Sequence, residues 1–309
     1  MNKNIIIIGG EPFSVFFELL FKSIKQKKIK KSFILICSKK LLVSQMKKLN
    51  YNFVINSINK DKLENSKILK NCINVIDIQF KFKKPFDKIS NNSSKYIKNC
   101  FDEGLKIIKN GNSNILINGP ISKRHFLNKK FLGMTEYLAK RSNKEGQEVM
   151  LIYNKKLSVS PITTHLPLQD VKKNISKKKI IQNILNINSF FKKKLKKKPK
   201  FAITGLNPHC ETTKKFSEEK KIIIPAINKL QKKNINIKGP FPADTLFLKN
   251  NIKKFDVVIG MYHDQVLTPI KTLHEFNAVN ITLGLPFLRM TPDHGPNNSM
   301  LGKNKSNPA

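Results

Sequence analysis

Short apolar runs rich in β-branched residues alternate with helix-periodic segments along this chain, and this alternation constrains the fold most. Strands are predicted at four such runs, Ile5–Ile8, Phe33–Cys37, Ile73–Ile78 and Ile115–Ile117. A helix is predicted between the last two, with an apolar stripe at Ile97, Cys100, Phe101, Leu105 and Ile108 and a cap at Ser93 or Ser94. The pattern is typical of an α/β fold, in which helices cover a largely parallel sheet.

A second helical stripe follows later in the chain, at Ile180, Ile184, Ile187 and Phe191. The length of 309 residues suits one large or two medium domains. We favour two, although no stretch resembles a flexible linker.

The chain is strongly basic, with a formal net charge of +39. Of its 59 basic residues only Arg124, Arg141 and Arg289 are arginines, and the lysines spread over nearly every predicted helix and loop. Proteins that read bases rely on the bidentate arginine fork. We therefore expect no specific nucleic-acid binding and interpret the charge as drift toward lysine on solvated faces, which also attracts anionic substrates.

The four cysteines, Cys37, Cys72, Cys100 and Cys210, form no CxxC pair. This absence favours a reduced, intracellular protein. The apolar start is too short for a signal peptide, and no later run approaches the ~20 apolar residues of a membrane helix. We expect a cytoplasmic protein with no membrane partner.

Three histidines come after apolar runs that predict strands: His165 after 157–164, His209 after 201–206, and His263 after 257–261. Strand ends in an open α/β sheet face the ligand crevice. Three neutral imidazoles with an open fourth position suit a divalent cation that acts as a Lewis acid. Each histidine alone also fits an ordinary surface or core role, so the metal hypothesis depends on the motifs around them.

Polar residues concentrate after residue 118. Asn118–Lys123 predicts a strand-to-helix turn whose Gly and Pro let backbone donors approach a ligand. Thr135 begins a helix, where it either caps the helix or offers its hydroxyl to an anion, and capping is the simpler interpretation. Asp244 follows a Pro-stiffened turn, Lys271 comes eight residues after His263, and Arg289 ends an apolar run.

Together these motifs resemble the 4-hydroxythreonine-4-phosphate dehydrogenase family from about Gly9 to Gly302. The segments that carry the resemblance, in the family's order and spacing, are Thr163–Leu168, Gly205–His209, Gly239–Thr245, Tyr262–Gln265, Asn280–Pro286 and Asp293–Gly295. The resemblance implies oxidation of 4-phosphooxy-L-threonine with NAD or NADP. The β-keto acid product then decarboxylates to 3-amino-2-oxopropyl phosphate, in pyridoxal phosphate (vitamin B6) biosynthesis.

The resemblance also implies a site. It assigns His165, His209 and His263 to one zinc, magnesium or cobalt ion, Thr135, Lys271, Asn280 and Arg289 to substrate, and His294 and Gly295 to an NAD-binding loop like that of isocitrate and isopropylmalate dehydrogenases. The implied fold has two α/β/α domains with a cleft between them, here 1–125 plus 280–309 and 126–279. The implied assembly is a homodimer that shares metal ligands between subunits.

The residues fit this chemistry. A cation held by three imidazoles would lower the pKa of a secondary hydroxyl and stabilise the enolate that decarboxylation leaves. Lys271 or Asp244 would take or relay the proton, and Lys271 and Arg289 would supply positive charge for phosphate and carboxylate.

Three features depart from the family. Met134 stands where the family usually has a histidine that touches substrate, Phe13–Phe17 replace the small residues of a glycine-rich GEPAGIGPE segment, and the chain stops at Ala309 where relatives continue into another helix. One alternative is therefore a metal-dependent oxidative decarboxylase of another phosphorylated four-carbon hydroxy acid. A second is a non-catalytic basic binding protein on the same scaffold, against which the intact histidines, Lys271 and Arg289 argue.

Overall fold

The computed structural model describes residues 4–127, 131–211, 217–292 and 294–308, apart from the side chain of Asn65. Its strands are β1 Asn4–Ile8, β2 Phe33–Cys37, β3 Ile55–Ser57, β4 Ile73–Asp77, β5 Ser113–Asn118, β6 Val149–Tyr153, β7 Ser158–Pro161, β8 Phe201–Thr204, β9 Ile237–Phe241, β10 Val257–Gly260, β11 Val279–Leu283 and β12 Leu288–Pro292. Its α-helices are α1 Phe16–Lys25, α2 Lys39–Lys48, α3 Ser93–Lys109, α4 Lys123–Phe126, α5 Met134–Arg141, α6 Leu168–Val171, α7 Lys177–Lys194, α8 Ile224–Gln231, α9 Ala243–Leu246, α10 Lys249–Ile252 and α11 His263–His274.

The chain divides into two compact units. Unit 1 combines Met1–Phe131 with Pro286–Ala309, and unit 2 is Leu132–Leu285. The predicted α/β class is confirmed. The predicted boundaries, 126 and 280, fall six residues before the observed ones, 132 and 286. The second boundary lies at 286 rather than 280 because β11 pairs antiparallel with β6 and so belongs to unit 2.

Unit 1 is built on parallel strands in the order β3-β4-β2-β1-β5-β12. Ile7 of β1 packs with the apolar residues of α1 and α2 on one face of the sheet. On the other face α3 approaches so closely that a Cβ on Gly104 would lie 2.9 Å from Cδ1 of Ile8. Because neighbouring strand residues face opposite sides, both faces of this sheet are covered by helices.

The predicted stripe of α3 is partly wrong. Ile97, Cys100 and Phe101 are buried as expected, but the stripe continues through Gly104 and Ile107 rather than Leu105 and Ile108. The close approach of Gly104 to β1 turns that face of the helix inward. The predicted serine cap is also wrong, because Asn92 is the N-cap and the Ser93 hydroxyl donates to the Ser90 carbonyl.

The last described residues fold back onto α1. Lys22 Nζ donates to the carbonyl oxygens of Asn304 and Ser306, at 2.8 Å each. The buried Glu18 carboxylate accepts the backbone N–H of Ser306 at 2.6 Å. The end of the chain is therefore held within unit 1.

Unit 2 has a mixed sheet in the order β11-β6-β7-β10-β8-β9. Strands β7, β10, β8 and β9 are parallel, whereas β6 and β11 run antiparallel to their neighbours. Apolar residues of α11 pack on one face, and Asn183 of α7 hydrogen-bonds to Ser160 on the other. The three strands predicted before the histidines are all present, and their carboxyl ends lie at one edge of the sheet.

None of the helices in the part of the chain that the structure describes is both long and apolar enough to cross a membrane. The four cysteines are free thiols.

Candidate metal and substrate site

Two of the three predicted metal ligands lie side by side in unit 2. His165 follows β7 and His263 begins α11 directly after β10, and these two strands are neighbours in the sheet. Their ring centroids are 5.8 Å apart. Both side chains are partly exposed, so a ligand can reach the pair from solvent.

Each of these two imidazoles has a carboxylate on the side of its Nδ1 atom, within hydrogen-bond distance for His263 and within ion-pair distance for His165. Oδ1 of Asp264 lies 2.6 Å from Nδ1 of His263. Oε1 of Glu136, which also accepts the Thr164 hydroxyl at 3.0 Å, lies 3.8 Å from Nδ1 of His165. Carboxylates at one ring nitrogen are typical of metal-binding histidines, because they favour the tautomer whose other nitrogen carries the lone pair. The pair therefore fits a cation bound through Nε2.

The third predicted ligand is not brought to this pair. His209 lies in the turn Pro208–Cys210 after β8, is exposed, and has a positive φ of 56°. Glu219 anchors the turn by accepting the backbone N–H groups of Leu206 and Asn207 at 2.9 Å each. Within the described part of one chain, no group of three His, Cys, Asp or Glu side chains is arranged to hold a metal ion. The three-histidine site stays a prediction.

A cavity of about 80 Å³ with a mixed polar and apolar lining lies beside Glu136, and its polar lining includes Glu148, Lys179, Thr135 and Thr164. Burial acts to raise the pKa of Glu136, but hydrogen bonding and the charge of His165, with the Thr164 hydroxyl, lower it overall. Burial and the charge of Glu136 raise the pKa of Glu148, whereas burial lowers the pKa of Lys179. Glu136 is thus the member of this group that is stabilised as an anion.

Thr135 contacts β11, the strand that carries a second predicted substrate residue, Asn280. The buried Thr135 hydroxyl lies 3.4 Å from the hydroxyl of Thr282. Asn280 is two residues before Thr282, so both side chains lie on one face of the strand. Oδ1 of Asn280 is buried and has no hydrogen-bond partner among the described residues, which suits a ligand donor. The capping interpretation of Thr135 is wrong, because Gly133 is the N-cap of α5.

The two candidate proton carriers, Lys271 and Asp244, lie on different elements of unit 2. Lys271 is exposed on α11, eight residues beyond His263, which corresponds to roughly 12 Å along the helix axis. Asp244 is exposed in α9. Burial raises the pKa of Cys210, and the negative charges of Glu219 and Asp244 raise it further. Asp244 is therefore close to the turn that carries His209.

Arg289 is a buried residue of unit 1. It lies on β12, is 3% exposed, and donates from Nε to Oδ1 of Asn118 at 2.9 Å. Asn118 ends β5 and also donates to the Thr291 hydroxyl. This network fixes the plane of the guanidinium group.

The predicted cofactor loop residues are exposed in unit 1. His294 Nδ1 lies 2.8 Å from the carbonyl oxygen of Gly295, and Pro296 accepts the backbone N–H of Val15. Asp293, which belongs to the same motif, lies outside the described residues.

The aromatic residues that depart from the family pattern lie in the core of unit 1. Phe13, Phe16 and Phe17 are each less than a tenth exposed. A Cβ on Gly119 would lie 2.5 Å from the Gly9 carbonyl oxygen and 2.7 Å from Cγ of Phe16. The space beside Gly119, between the ends of β1 and β5, is therefore filled by backbone and an aromatic ring, and the approach of backbone donors to a ligand at Asn118–Lys123 stays a prediction.

Two contributors to the site have no counterpart in the sequence predictions. Glu136 follows Thr135, and an acid in the first turn of a helix is ordinary enough to pass as a dipole effect. Gln265 ends the motif Tyr262–Gln265, for which no role of the glutamine was predicted, and it is buried and accepts hydrogen bonds from Met261 N and the Thr204 hydroxyl, at 2.7 Å each. The available sequence signal was an amide two residues after a candidate ligand.

An imidazole pair at the carboxyl ends of parallel strands, in a two-unit α/β chain, defines an α/β enzyme with a ligand site at the sheet edge. Family comparison then gives the particular group. The chain belongs to the family described as pyridoxal phosphate biosynthetic protein PdxA, which matches residues 29–309.

Individual relatives agree over the whole chain. The 4-hydroxythreonine-4-phosphate dehydrogenase of Sulfurihydrogenibium sp. (strain YO3AOP1) is 38% identical over 307 residues, with 97% of this chain and 92% of the relative covered. That of Aquifex aeolicus (strain VF5) is 35% identical, with 99% and 94% covered. The crystal structure of 4-hydroxythreonine-4-phosphate dehydrogenase from Klebsiella pneumoniae superposes with a TM-score of 0.81 at 25% identity, covering 99% of this chain and 95% of that one.

Proposed function

We propose that this protein oxidises 4-phosphooxy-L-threonine with NAD or NADP and a divalent cation. The β-keto acid formed would lose carbon dioxide to give 3-amino-2-oxopropyl phosphate, in the formation of pyridoxal phosphate. The observation that carries the proposal is the His165 and His263 pair, 5.8 Å between centroids, with a carboxylate 2.6 Å from Nδ1 of His263 and another 3.8 Å from Nδ1 of His165. The names of the relatives supply the substrate.

We infer that a second copy of the chain completes the metal site. One chain offers two facing imidazoles, while His209 is exposed on a separate turn near Asp244. A symmetric dimer would supply the third imidazole twice, once to each pair. Imidazole ligands suit zinc and cobalt, whereas magnesium prefers oxygen ligands, so the histidines favour zinc or cobalt over magnesium without selecting between those two.

The roles of the chain's own groups follow from their chemistry. The bound cation would supply Lewis-acid stabilisation of the developing oxyanion, and the nicotinamide would accept the hydride. Lys271 or Asp244 takes the hydroxyl proton. Arg289 and Lys271 bind the phosphate and carboxylate, and Thr135 and Asn280 orient the rest of the substrate.

The test of activity measures NAD and NADP reduction by the purified protein with 4-phosphooxy-L-threonine, before and after chelation. We expect turnover that chelation abolishes and that added zinc, magnesium or cobalt restores. Absence of turnover under all these conditions, or turnover that survives complete metal removal, contradicts the proposal.

The shared site is tested by subunit mixing. When His165→Ala and His209→Ala variants are unfolded together and refolded, half of the dimers are mixed, and each mixed dimer has one intact site. Activity should recover to about a quarter of wild type. The control mixes His165→Ala with His263→Ala, which lie in the same half-site and should give no recovery. Equal recovery in both mixtures, or none in either, would exclude the shared arrangement.

A second candidate substrate is favoured by one observation. Met134 is 7% exposed in the first turn of α5, immediately before Thr135. A thioether there cannot replace the hydrogen bond of the histidine that the resemblance places at this position. The alternative is oxidative decarboxylation of a different phosphorylated four-carbon hydroxy acid at the same metal site.

A further inference from the structure

We propose that Glu136 is a positioning residue that selects the tautomer of His165, and so makes Nε2 of that ring available to a cation. The inference rests on the proposed metal site and extends it to a residue outside the histidine motifs. Glu136 reaches His165 from α5, 29 residues earlier in the chain. Its Oε1 atom lies on the Nδ1 side of the ring, at 3.8 Å.

The local backbone makes room for this pair. A Cβ on Gly133 would lie 2.8 Å from Oε2 of Glu136 and 3.0 Å from Cε1 of His165. The first distance is shorter than real Cβ contacts and the second is tighter than most of them, so a larger residue would displace the Glu136 carboxylate and crowd the His165 ring. Gly133 has extended backbone angles that any residue adopts. Its lack of a side chain is therefore needed for space rather than for conformation.

The orientation of the carboxylate is fixed from a second direction. The Thr164 hydroxyl donates to Oε1 of Glu136 at 3.0 Å, and Thr164 directly precedes His165. The same oxygen that faces the ring is thus tied to the backbone segment that carries the ring. The hydrogen bond therefore restrains the position of the Glu136 carboxylate relative to the His165 ring.

His263 repeats the arrangement with a different carboxylate. Oδ1 of Asp264 lies 2.6 Å from Nδ1 of His263. In both rings the nitrogen beside the carboxylate is Nδ1, which leaves Nε2 of each as the metal-binding atom. Asp264 is a neighbour in sequence, whereas Glu136 depends on the packing of α5, so Glu136 is the informative residue to test.

The experiment compares Glu136→Gln with wild type in the metal-free protein. Nitrogen-15 NMR of the histidine side chains reports the tautomer of His165, whose signal is assigned by its loss in His165→Ala. We expect wild-type His165 to carry its proton on Nδ1 and the variant to show a mixture of tautomers. Zinc affinity, measured by competition with a chromogenic chelator, should fall about 10- to 100-fold.

Glu148→Gln is the matched control. Glu148 is also a glutamate that lines the same cavity, and the charges that act on it are those of Glu136 and Lys179. Its zinc affinity and His165 tautomer should match wild type. An unchanged His165 tautomer in Glu136→Gln would overturn the inference. Failure of wild type to bind any metal would contradict the proposed function, while the tautomer measurement would still decide the role of Glu136.

Discussion

The side-chain amide of Gln265 donates to the carbonyl oxygen of Gly205 at 2.8 Å. Gln265 lies in α11 just after β10, and Gly205 follows β8, so this hydrogen bond joins the ends of two neighbouring strands. The histidine segments begin within a few residues of both ends. Gln265 thus sets where the backbone leaves each strand.

Replacing Gln265 by Ala should destabilise unit 2 strongly. The change removes the bond to Gly205 and the two hydrogen bonds that its Oε1 accepts. Buried groups left without partners cost about 1–3 kcal/mol each, so a loss of about 2–4 kcal/mol is expected in urea unfolding. Gln231→Ala is the control, because exposed Gln231 makes one hydrogen bond, to Ile237, and should cost less than about 1 kcal/mol. Equal losses would refute this role.

Glu11 should make stability fall as pH rises. Its side chain is buried, with neither carboxylate oxygen in a hydrogen bond of normal geometry among the described residues. Burial raises the pKa of Glu11 from 4.5 to about 7, partly opposed by Ser93 and the Phe13 backbone. The folded state then retains a proton that the unfolded chain has released, so the penalty develops between pH 4.5 and 7 and remains above.

Glu11→Gln removes this ionisation. Its stability relative to wild type should be near zero at pH 4.5 and rise to about 3 kcal/mol at pH 8. Denaturant unfolding at a series of pH values measures the difference. Glu145→Gln, at an exposed position, should give a flat profile. A flat profile for Glu11→Gln would show that its carboxyl ionises normally in the folded state.

Lys271→Ala should reduce kcat/KM for the phosphorylated substrate by about 10- to 100-fold, the loss of one charge-assisted hydrogen bond. Because Lys271 is exposed, the free energy of unfolding of the Lys271→Ala variant should match that of wild type. Arg289→Ala should lose both activity and about 1–3 kcal/mol of stability, since Oδ1 of Asn118 loses its buried donor. Exposed Lys229→Ala serves as the charge control. Wild-type kinetics in Lys271→Ala would remove that residue from the substrate site.

Met134→His distinguishes the two candidate substrates. If the substrate is 4-phosphooxy-L-threonine, the histidine adds a polar contact worth roughly 0.5–1.5 kcal/mol and raises kcat/KM a few-fold to about tenfold. If the pocket suits another acid, wild type should turn over 4-phosphooxy-L-threonine poorly and the variant should lose activity toward the true substrate. Measuring kcat/KM of both proteins on a panel of phosphorylated hydroxy acids decides between them.

Local patterns predicted the position of several strands and of the two long helices, and the full buried stripe of α7 but only part of that of α3, because periodic burial depends mainly on neighbouring residues. The strands before His165 and His263 are examples, and their adjacency brings these rings together. The position of His209 could not be predicted from such local patterns. It depends on consecutive positive φ angles at His209 and Cys210, in a turn held by Glu219 from the next helical segment.

Contacts between segments that are distant in the chain could also not be predicted from the sequence. The bulky Phe16 suggested an altered ligand pocket, yet it packs over Gly119, more than a hundred residues away. The pairing of Glu136 with His165 likewise depends on how α5 packs beside β7. Residue spacing along the chain does not predict such contacts, because they depend on tertiary packing.

The division of unit 1 into two chain segments has a consequence for synthesis. β12, which pairs with β5, and Ser306, which bonds to Glu18, belong to the final stretch after residue 286. During translation, all of unit 2 is therefore synthesised before β12, the last strand of unit 1. Proteins fold during synthesis in the order in which complete units emerge. Unit 1, whose synthesis begins first, is thus the unit that can complete its folding last.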